Sequence, residues 1–133
     1  MQNAALVDEI NNAIGAHGAW KMRLRTAIAS GRGDVSAADA RCDDKCSFGK
    51  WLYGPCLDAQ AKADLPYRVV KRLHGEFHRA AGDILAHVEH GNMPAAAAAM
   101  EGDYAEQSDK LVRALAKWKH EVLHPETVKR RTA

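Results

Sequence analysis

The chain has 133 residues, of which 47% are hydrophobic and 27% charged, as is usual for a globular protein with its own core. A net charge of +2 is too small to indicate nucleic acid or a membrane surface as a partner, and no apolar run reaches the roughly 20 residues that a membrane span needs. The N-terminus has no signal-peptide pattern, so we expect a cytoplasmic protein whose three cysteines are thiols or metal ligands rather than disulfides.

Residues 1–133 are predicted to form one domain, because this length is within the usual size of a single domain. A short basic tail begins at about residue 126 and contains Lys129, Arg130 and Arg131. Such a terminus is typically solvated, so it indicates no function.

The first helix is predicted from about Val7 to Ser30. Its inward positions recur every three or four residues, which is the spacing of one helix face. These positions are Ile14, His17, Trp20, Leu24 and Ile28. The helix ends at Gly31-Arg32-Gly33-Asp34, since paired glycines favour a chain reversal.

The crossover that follows is predicted to contain a short helix at about residues 45–53, with Asp43 or Asp44 as its N-cap. This assignment places Cys46 in the first helical turn. The partial positive charge of a helix N-terminus favours the thiolate at that position. Residues 56–64 are predicted to form one or two further helical turns.

Two more long helices are predicted. The third begins at Pro66 and ends near His90, before Gly91-Asn92, and the fourth runs from Pro94 to about Leu123. No stretch alternates polar and apolar residues for long enough to indicate a strand. The predicted fold class is therefore all-α, a four-helix bundle with a short extra helix in the crossover between the first and third long helices.

Four side chains have the chemistry of a metal site. Cys46 supplies a thiol, and His17, His74 and His78 supply imidazoles, which are ligand types that Zn²⁺ selects. His74 and His78 are four residues apart, so they share one face of a helix. Gly49 would let the short helix approach its neighbours closely. The pattern predicts one tetrahedral Zn²⁺ site assembled from three helical segments.

Three motifs carry a resemblance to a known family. They are His17-x-x-Trp20, Cys46-x-Phe48-Gly49-x-Trp51 and His74-x-x-x-His78, which together span residues 17–78. This set resembles the signature of the chemoreceptor zinc-binding domain family, with no departure at any motif position. The resemblance implies a helical bundle that holds one Zn²⁺ through His17, Cys46, His74 and His78.

The resemblance also implies a function and partners. Family members occur at the ends of cytosolic chemoreceptors, fused to diguanylate cyclases, or alone, and they often dimerise. They are similar in acting as sensory or regulatory modules, in bacterial chemotaxis or in cyclic-di-GMP control. The implied signal is zinc itself or oxidation of the zinc-bound Cys46 by hypochlorous acid, and the sequence does not choose between them. The implied partners are a second copy of the chain and a chemoreceptor or diguanylate cyclase.

Residues beside the ligands are candidates for supporting roles. Trp20, Phe48 and Trp51 would exclude water from the site, which strengthens the metal bonds. Asp44, two residues before Cys46, would orient a ligand histidine or tune the thiolate. A plain helix N-cap is an equally good interpretation of Asp44.

Catalysis is not expected. Four protein ligands leave no open metal position for a substrate or an activated water. A zinc hydrolase would carry His-Glu-x-x-His, whereas Glu76 follows His74 by two residues and lies on another side of the helix.

Three alternatives stay open at this point. A purely structural metal in an interaction module would have the same ligands and no sensory role. A hemerythrin-like or di-iron four-helix bundle shares the helices and the histidines, although only Glu121-x-x-His124 matches its Glu-x-x-His motif. A zinc buffer without a signalling output would have the same ligands. The roles of Cys42, Cys56, His120 and His124 are also open.

Overall fold

The computed structural model describes residues 2–125, with side chains from residue 4 onward. Within these residues the long helices are α1 (Gln2–Ser30), α5 (Leu65–Glu89) and α7 (Ala105–Leu123). The short helices are α2 (Ala37–Ala40), α3 (Ser47–Tyr53), α4 (Ala59–Ala63) and α6 (Met93–Ala99). A π-helical segment (Met100–Tyr104) joins α6 to α7 without a break. The predicted basic tail with Lys129, Arg130 and Arg131 lies outside the described residues.

The prediction of an all-α bundle is confirmed, since residues 2–125 contain helices and no strand. The predicted fourth helix corresponds to α6, the π segment and α7. One detail differs from the prediction. The first helix begins at Gln2 rather than near Val7, because Ala4 and Ala5 have high helix propensity. The crossover contains α3 close to its predicted range, α4 within the helical turns predicted for residues 56–64, and the short helix α2 before them.

Each short helix of the crossover begins with its own side-chain cap. Ser36, Cys46 and Asp58 accept a hydrogen bond from the backbone N–H three residues later, at 3.1, 3.2 and 2.8 Å. Such side chains satisfy backbone donors that a helix start leaves unpaired. Local capping therefore explains why this segment forms three separate helices rather than an irregular loop.

The long helices that flank the crossover both end at a glycine in the left-handed backbone region. Gly31, after α1, has a φ of 75°, and Gly91, after α5, has a φ of 72°. A side chain makes this conformation costly, so glycine is favoured at both positions. The predicted helix ends at these glycines are confirmed.

Helix α5 is at the centre of the fold and packs against α1, α2, α6 and α7. Its inward stripe and those of α1 and α7 meet in one hydrophobic cluster. The fully buried members of this cluster include Leu24, Val70, Phe77, Ile84, Leu111 and Leu115. The stripe of α1 that carries His17 therefore faces the stripe of α5 that carries His74 and His78.

The crossover is fastened to the C-terminal half of α5. The Ala37 backbone N–H donates to the Glu89 carboxylate at 2.7 Å, and the Arg41 guanidinium pairs with Asp83 at 2.9 Å. These contacts hold α2 directly against α5.

None of the helices described for residues 2–125 is long and apolar enough to cross a membrane.

Candidate metal centre

Three histidines meet in the core of the bundle. His17 on α1 is 3% exposed, and His74 and His78 on α5 are 0% and 1% exposed. Each offers a ring nitrogen within 4.8 Å of those of the other two. The spacing of four residues on α5 and the inward stripe of α1 account for this arrangement.

Cys46 reaches the same point from the crossover. Its Sγ lies 3.4 Å from Nε2 of His74 and 3.6 Å from Nε2 of His78, and the two Nε2 atoms are 3.1 Å apart. With ordinary bond lengths, a tetrahedral zinc ion separates two ligand nitrogens by about 3.3 Å and a nitrogen from a sulfur by about 3.6 Å. These three separations therefore have the size that one Zn²⁺ requires.

Backbone carbonyls orient two of the histidines. Nδ1 of His17 donates to the Ala13 carbonyl at 2.6 Å, and Nδ1 of His78 donates to the Ala40 carbonyl at 2.9 Å. Because a carbonyl can only accept, the proton is on Nδ1 and the lone pair is on Nε2 in both rings. Nε2 of His17 is buried and has no hydrogen-bond partner among the described residues. A buried acceptor without a partner is costly, and a metal ion would satisfy it.

Comparison with known protein families agrees with this geometry. A family model described as the chemoreceptor zinc-binding domain matches residues 17–85, just over half of the chain and a range that begins at His17 and includes Cys46, His74 and His78. The chain belongs to the chemoreceptor zinc-binding domain family. Searches among curated proteins and among solved structures found no match. Zn²⁺ is the metal that fits both this family and a donor set of three imidazoles and one thiol.

Burial keeps the histidines of this zinc-binding domain neutral. It lowers the pKa of His17 to about 4 and the pKa of His74 to about 2. Burial also lowers the pKa of His78, although the Ala40 carbonyl and the Asp43 charge oppose this shift. Neutral imidazoles carry the lone pairs that a metal needs, so the rings are in the ligating form at neutral pH.

These shifts predict that the metal-free domain loses stability on acidification. Histidines of the unfolded chain take up protons near pH 6.5, whereas the buried ones do so only at lower pH, so the unfolded state binds more protons in between. Each buried histidine is expected to lower the free energy of unfolding by about 1 kcal/mol per pH unit below pH 6.5. Urea unfolding between about pH 7 and pH 5 measures this slope. His90→Gln is the control, because His90 is exposed, and a slope of zero in the unmodified chain would contradict the burial of neutral imidazoles.

The sulfur of Cys46 is also the N-cap of α3. Sγ accepts the hydrogen bond from the Gly49 N–H at 3.2 Å, and the helix begins at Ser47. The prediction of Asp43 or Asp44 as the N-cap is therefore wrong. The position next to the first helical residue is occupied by Cys46, which supplies the capping side chain itself.

The helix N-terminus favours the Cys46 thiolate, as predicted, but in the metal-free domain burial outweighs this effect. Burial raises the pKa of this thiol above its ordinary value, and the nearby backbone N–H donors, led by that of Gly49, only partly oppose the shift. The thiolate therefore depends on the charge of a bound cation rather than on the helix alone.

Asp43, rather than Asp44, is the aspartate at the site. A Cβ on Gly49 would overlap the Asp43 carbonyl oxygen, so the backbone at these two positions is in direct contact. The Asp43 carboxylate accepts a hydrogen bond from the Tyr53 hydroxyl at 2.5 Å, at the other end of α3. Asp44 is exposed and makes no hydrogen bond to a ligand in the described part of the chain.

Aromatic rings surround the ligands. Phe48 is 4% exposed, and its ring centre lies 5.2 Å from that of His74. The ring of Trp20 lies 5.8 Å from that of His78 and is partly buried. Trp51 is partly buried and stacks on Phe48 at 5.6 Å. These rings restrict the access of water to the three imidazoles and the Cys46 sulfur.

Some site residues were missed by the sequence analysis. Phe77 is fully buried, and its ring centre lies 4.4 Å from that of His17. A signal for Phe77 was present, since it follows His74 by three residues and so shares its helix face. The carbonyls of Ala13 and Ala40 had no such signal, because every residue type supplies a carbonyl.

The remaining thiols and paired histidines lie elsewhere. Cys42 is partly buried and donates to the Ala38 carbonyl, and Cys56 is exposed. The rings of His120 and His124 are 4.5 Å apart at the end of α7. None of these residues belongs to the metal-binding group found in residues 2–125.

The di-iron alternative gains no support from the position of its glutamate. Glu121 is 7% exposed and lines an apolar recess with Pro66 and Trp118. It is not part of the metal-binding group found among the described residues, which consists of histidines.

Proposed function

We propose that this domain is a sensory zinc-binding module in which His17, Cys46, His74 and His78 hold one Zn²⁺. The observation that carries the proposal is the set of ligand-atom separations of 3.1, 3.4 and 3.6 Å. Four protein ligands would close a tetrahedral shell and leave no position for a substrate. This favours a regulatory role over catalysis.

The proposed ligands are already neutral and oriented in the metal-free domain. Burial keeps the imidazoles neutral, and the carbonyls of Ala13 and Ala40 direct two Nε2 atoms toward one point. When bound, Zn²⁺ would hold Cys46 as a thiolate, which is the nucleophilic form of the side chain. Phe48 and Phe77 are buried beside the histidines and restrict solvent access to the site.

We propose two signals that act on the same sulfur. One is the supply of zinc, which decides whether the four ligands are held together. The other is hypochlorous acid, which converts the thiolate to a sulfenic acid and releases chloride, so that the sulfur loses two electrons and the chlorine gains them. A sulfenic acid is a poorer metal ligand than a thiolate, so both signals weaken the bond at Cys46.

The proposed output is a change in α3 and the segment that leads into it. The Cys46 sulfur both caps α3 and reaches the histidines of α5. When oxidation displaces this sulfur, the crossover loses two attachments at once. A segment held by few contacts opens locally at low cost, and a shift in its population can be transmitted to a partner. This is the link between the metal site and a downstream protein.

We also propose that the domain works as a homodimer in the cytoplasm, next to a chemoreceptor or a diguanylate cyclase in chemotaxis or cyclic-di-GMP control. The family resemblance supports this proposal. Sedimentation of the full chain at micromolar concentration tests the first part. A monomer under all zinc concentrations would contradict the homodimer.

Metal analysis tests the site itself. We expect one zinc per chain at about pH 7.5 and a weaker affinity at about pH 5, because protons compete for the imidazoles and for the thiolate. Two irons per chain would instead support the di-iron alternative, and an affinity independent of pH would contradict the assigned ligands.

Hydrogen exchange tests the output. Zinc removal and treatment with hypochlorous acid are each expected to accelerate exchange of the backbone amides of residues 43–53 relative to those of α7. A zinc buffer would bind the metal with no change in this segment, so equal exchange rates in all three states would contradict the sensory function while leaving zinc binding intact.

A further inference from the structure

A basic cavity lies on the side of α5 that carries its arginines, next to the crossover. Its volume is about 630 Å³. Its cationic lining residues are Arg41, Lys62, Arg68, Lys71, Arg72 and Arg79. Asp43 and Glu76 are the acidic residues of the lining, which gives six positive and two negative side chains, a local balance of +4 in a chain whose net charge is +2.

Most of this positive charge is not neutralised by neighbouring carboxylates. Arg41 pairs with Asp83 at 2.9 Å, and Arg72 lies 3.7 Å from Glu76. Arg68 forms no ion pair within residues 2–125, and the same is true of Lys71, whose ammonium lies 5.5 Å from the centre of the Tyr53 ring. Concentrated positive charge in a concave wall attracts and retains anions.

We propose that this cavity binds a small phosphate-bearing molecule. Four of the cationic side chains follow one face of α5, and the other two come from the crossover, so residues of two elements line the same volume. Arginine presents several N–H donors in a plane, a geometry that matches phosphate oxygens. The volume lies in the range of small-molecule sites, and the partly exposed Tyr53 ring adds an apolar wall for an organic group.

The cavity shares a wall with the metal centre. Asp43 lines the cavity, and its carbonyl oxygen lies 4.0 Å from the Cys46 sulfur. Gly75 also lines the cavity and directly follows His74. A bound anion would therefore contact the segment that positions the metal ligands. The binding of the anion itself does not depend on zinc.

Calorimetric titration of the full chain with pyrophosphate tests the proposal. The double variant Arg68→Gln/Arg72→Gln removes two neighbouring charges of the cavity, four residues apart on α5, and glutamine preserves helix propensity. The loss of two charge-assisted contacts is expected to weaken pyrophosphate binding at least about tenfold.

Lys21→Gln/Arg25→Gln is the matched control. These residues are also four apart and exposed, but they lie on α1 and do not line the cavity. The control has the same net charge as the cavity variant. Any zinc that pyrophosphate removes from the protein contributes the same background to both variants. Its affinity for pyrophosphate is expected to stay within about twofold of the unmodified chain, since it loses no cavity contact.

Four results would overturn the proposal. They are no binding of pyrophosphate at millimolar concentration, equal weakening in the two double variants, tighter binding of hexaglutamate than of pyrophosphate, and binding to phosphatidic acid vesicles without binding of free pyrophosphate. Equal weakening would indicate diffuse charge attraction. The last two would assign the cavity to an acidic protein segment or to a membrane surface.

Discussion

Replacing Cys46 by serine is expected to weaken zinc binding at least about 100-fold while the metal-free fold stays nearly as stable as the unmodified chain. A structural zinc site owes roughly 10–16 kcal/mol of apparent binding free energy to its four ligands together, so the loss of one ligand costs several kcal/mol. The serine hydroxyl is a poor zinc ligand, but it is a favoured N-cap. It would accept the Gly49 N–H that the Cys46 sulfur accepts now.

Cys46→Ala separates the two roles of this side chain. Alanine can neither bind the metal nor cap α3, so we expect the same loss of zinc affinity together with a loss of about 1 kcal/mol in the free energy of unfolding of the metal-free form. Competition with a chromogenic chelator measures the affinity, and urea unfolding without zinc measures the stability. If serine and alanine gave equal stability, the cap would be unimportant. If either variant kept the original zinc affinity, Cys46 would not be a ligand.

Gly49→Ala is expected to be the most destabilising of the glycine-to-alanine substitutions in the described residues. The new Cβ would overlap the Asp43 carbonyl oxygen, which is a backbone atom and cannot rotate away. We expect the free energy of unfolding to fall by about 3 kcal/mol or more, because the α3 turn and residue 43 must separate. The same separation displaces Cys46, so zinc affinity is expected to fall as well.

Gly15→Ala is the control for this substitution. A Cβ on Gly15 has no neighbour within 4 Å, and the residue is exposed in the middle of α1. Alanine there is expected to raise the free energy of unfolding by roughly 0.5–1 kcal/mol, since it lowers the conformational entropy of the unfolded chain. Thermal unfolding of both variants is the measurement. A Gly49→Ala variant as stable as Gly15→Ala would show that the contact with Asp43 can relax.

The long helices and their buried faces could be predicted because helical periodicity is a local property of the sequence. Ile14, His17 and Leu24 follow one helix face, and the pair of His74 and His78 follows another. Ligand chemistry then indicated which of the inward polar residues share a site. The glycines at the ends of α1 and α5 were predictable for a similar local reason, since few other residues adopt a left-handed backbone.

The details of the crossover could not be predicted because they depend on contacts between distant backbone segments. The Ala40 carbonyl reaches His78 across 38 positions of the sequence, and any residue type at position 40 would offer the same oxygen. The choice between Asp43 and Asp44 depends on how the chain turns before α3. The pKa of Cys46 depends on its burial, and a short helix assigned from sequence does not reveal how deeply its first residue is covered.

The wide helical turn at Met100–Tyr104 holds one residue in excess of a regular helix. A π turn typically accommodates one residue more than an α turn, and both Met100 and Tyr104 are buried within it. Removal of one residue here would convert the segment into a regular α turn, so Leu111 and Leu115 would keep facing α5. Removal of one residue from the first turns of α7 would instead rotate the positions beyond it by about 100° and carry these leucines away from α5. A deletion of one residue is therefore expected to be tolerated within residues 100–104 and to be strongly destabilising within residues 105–110.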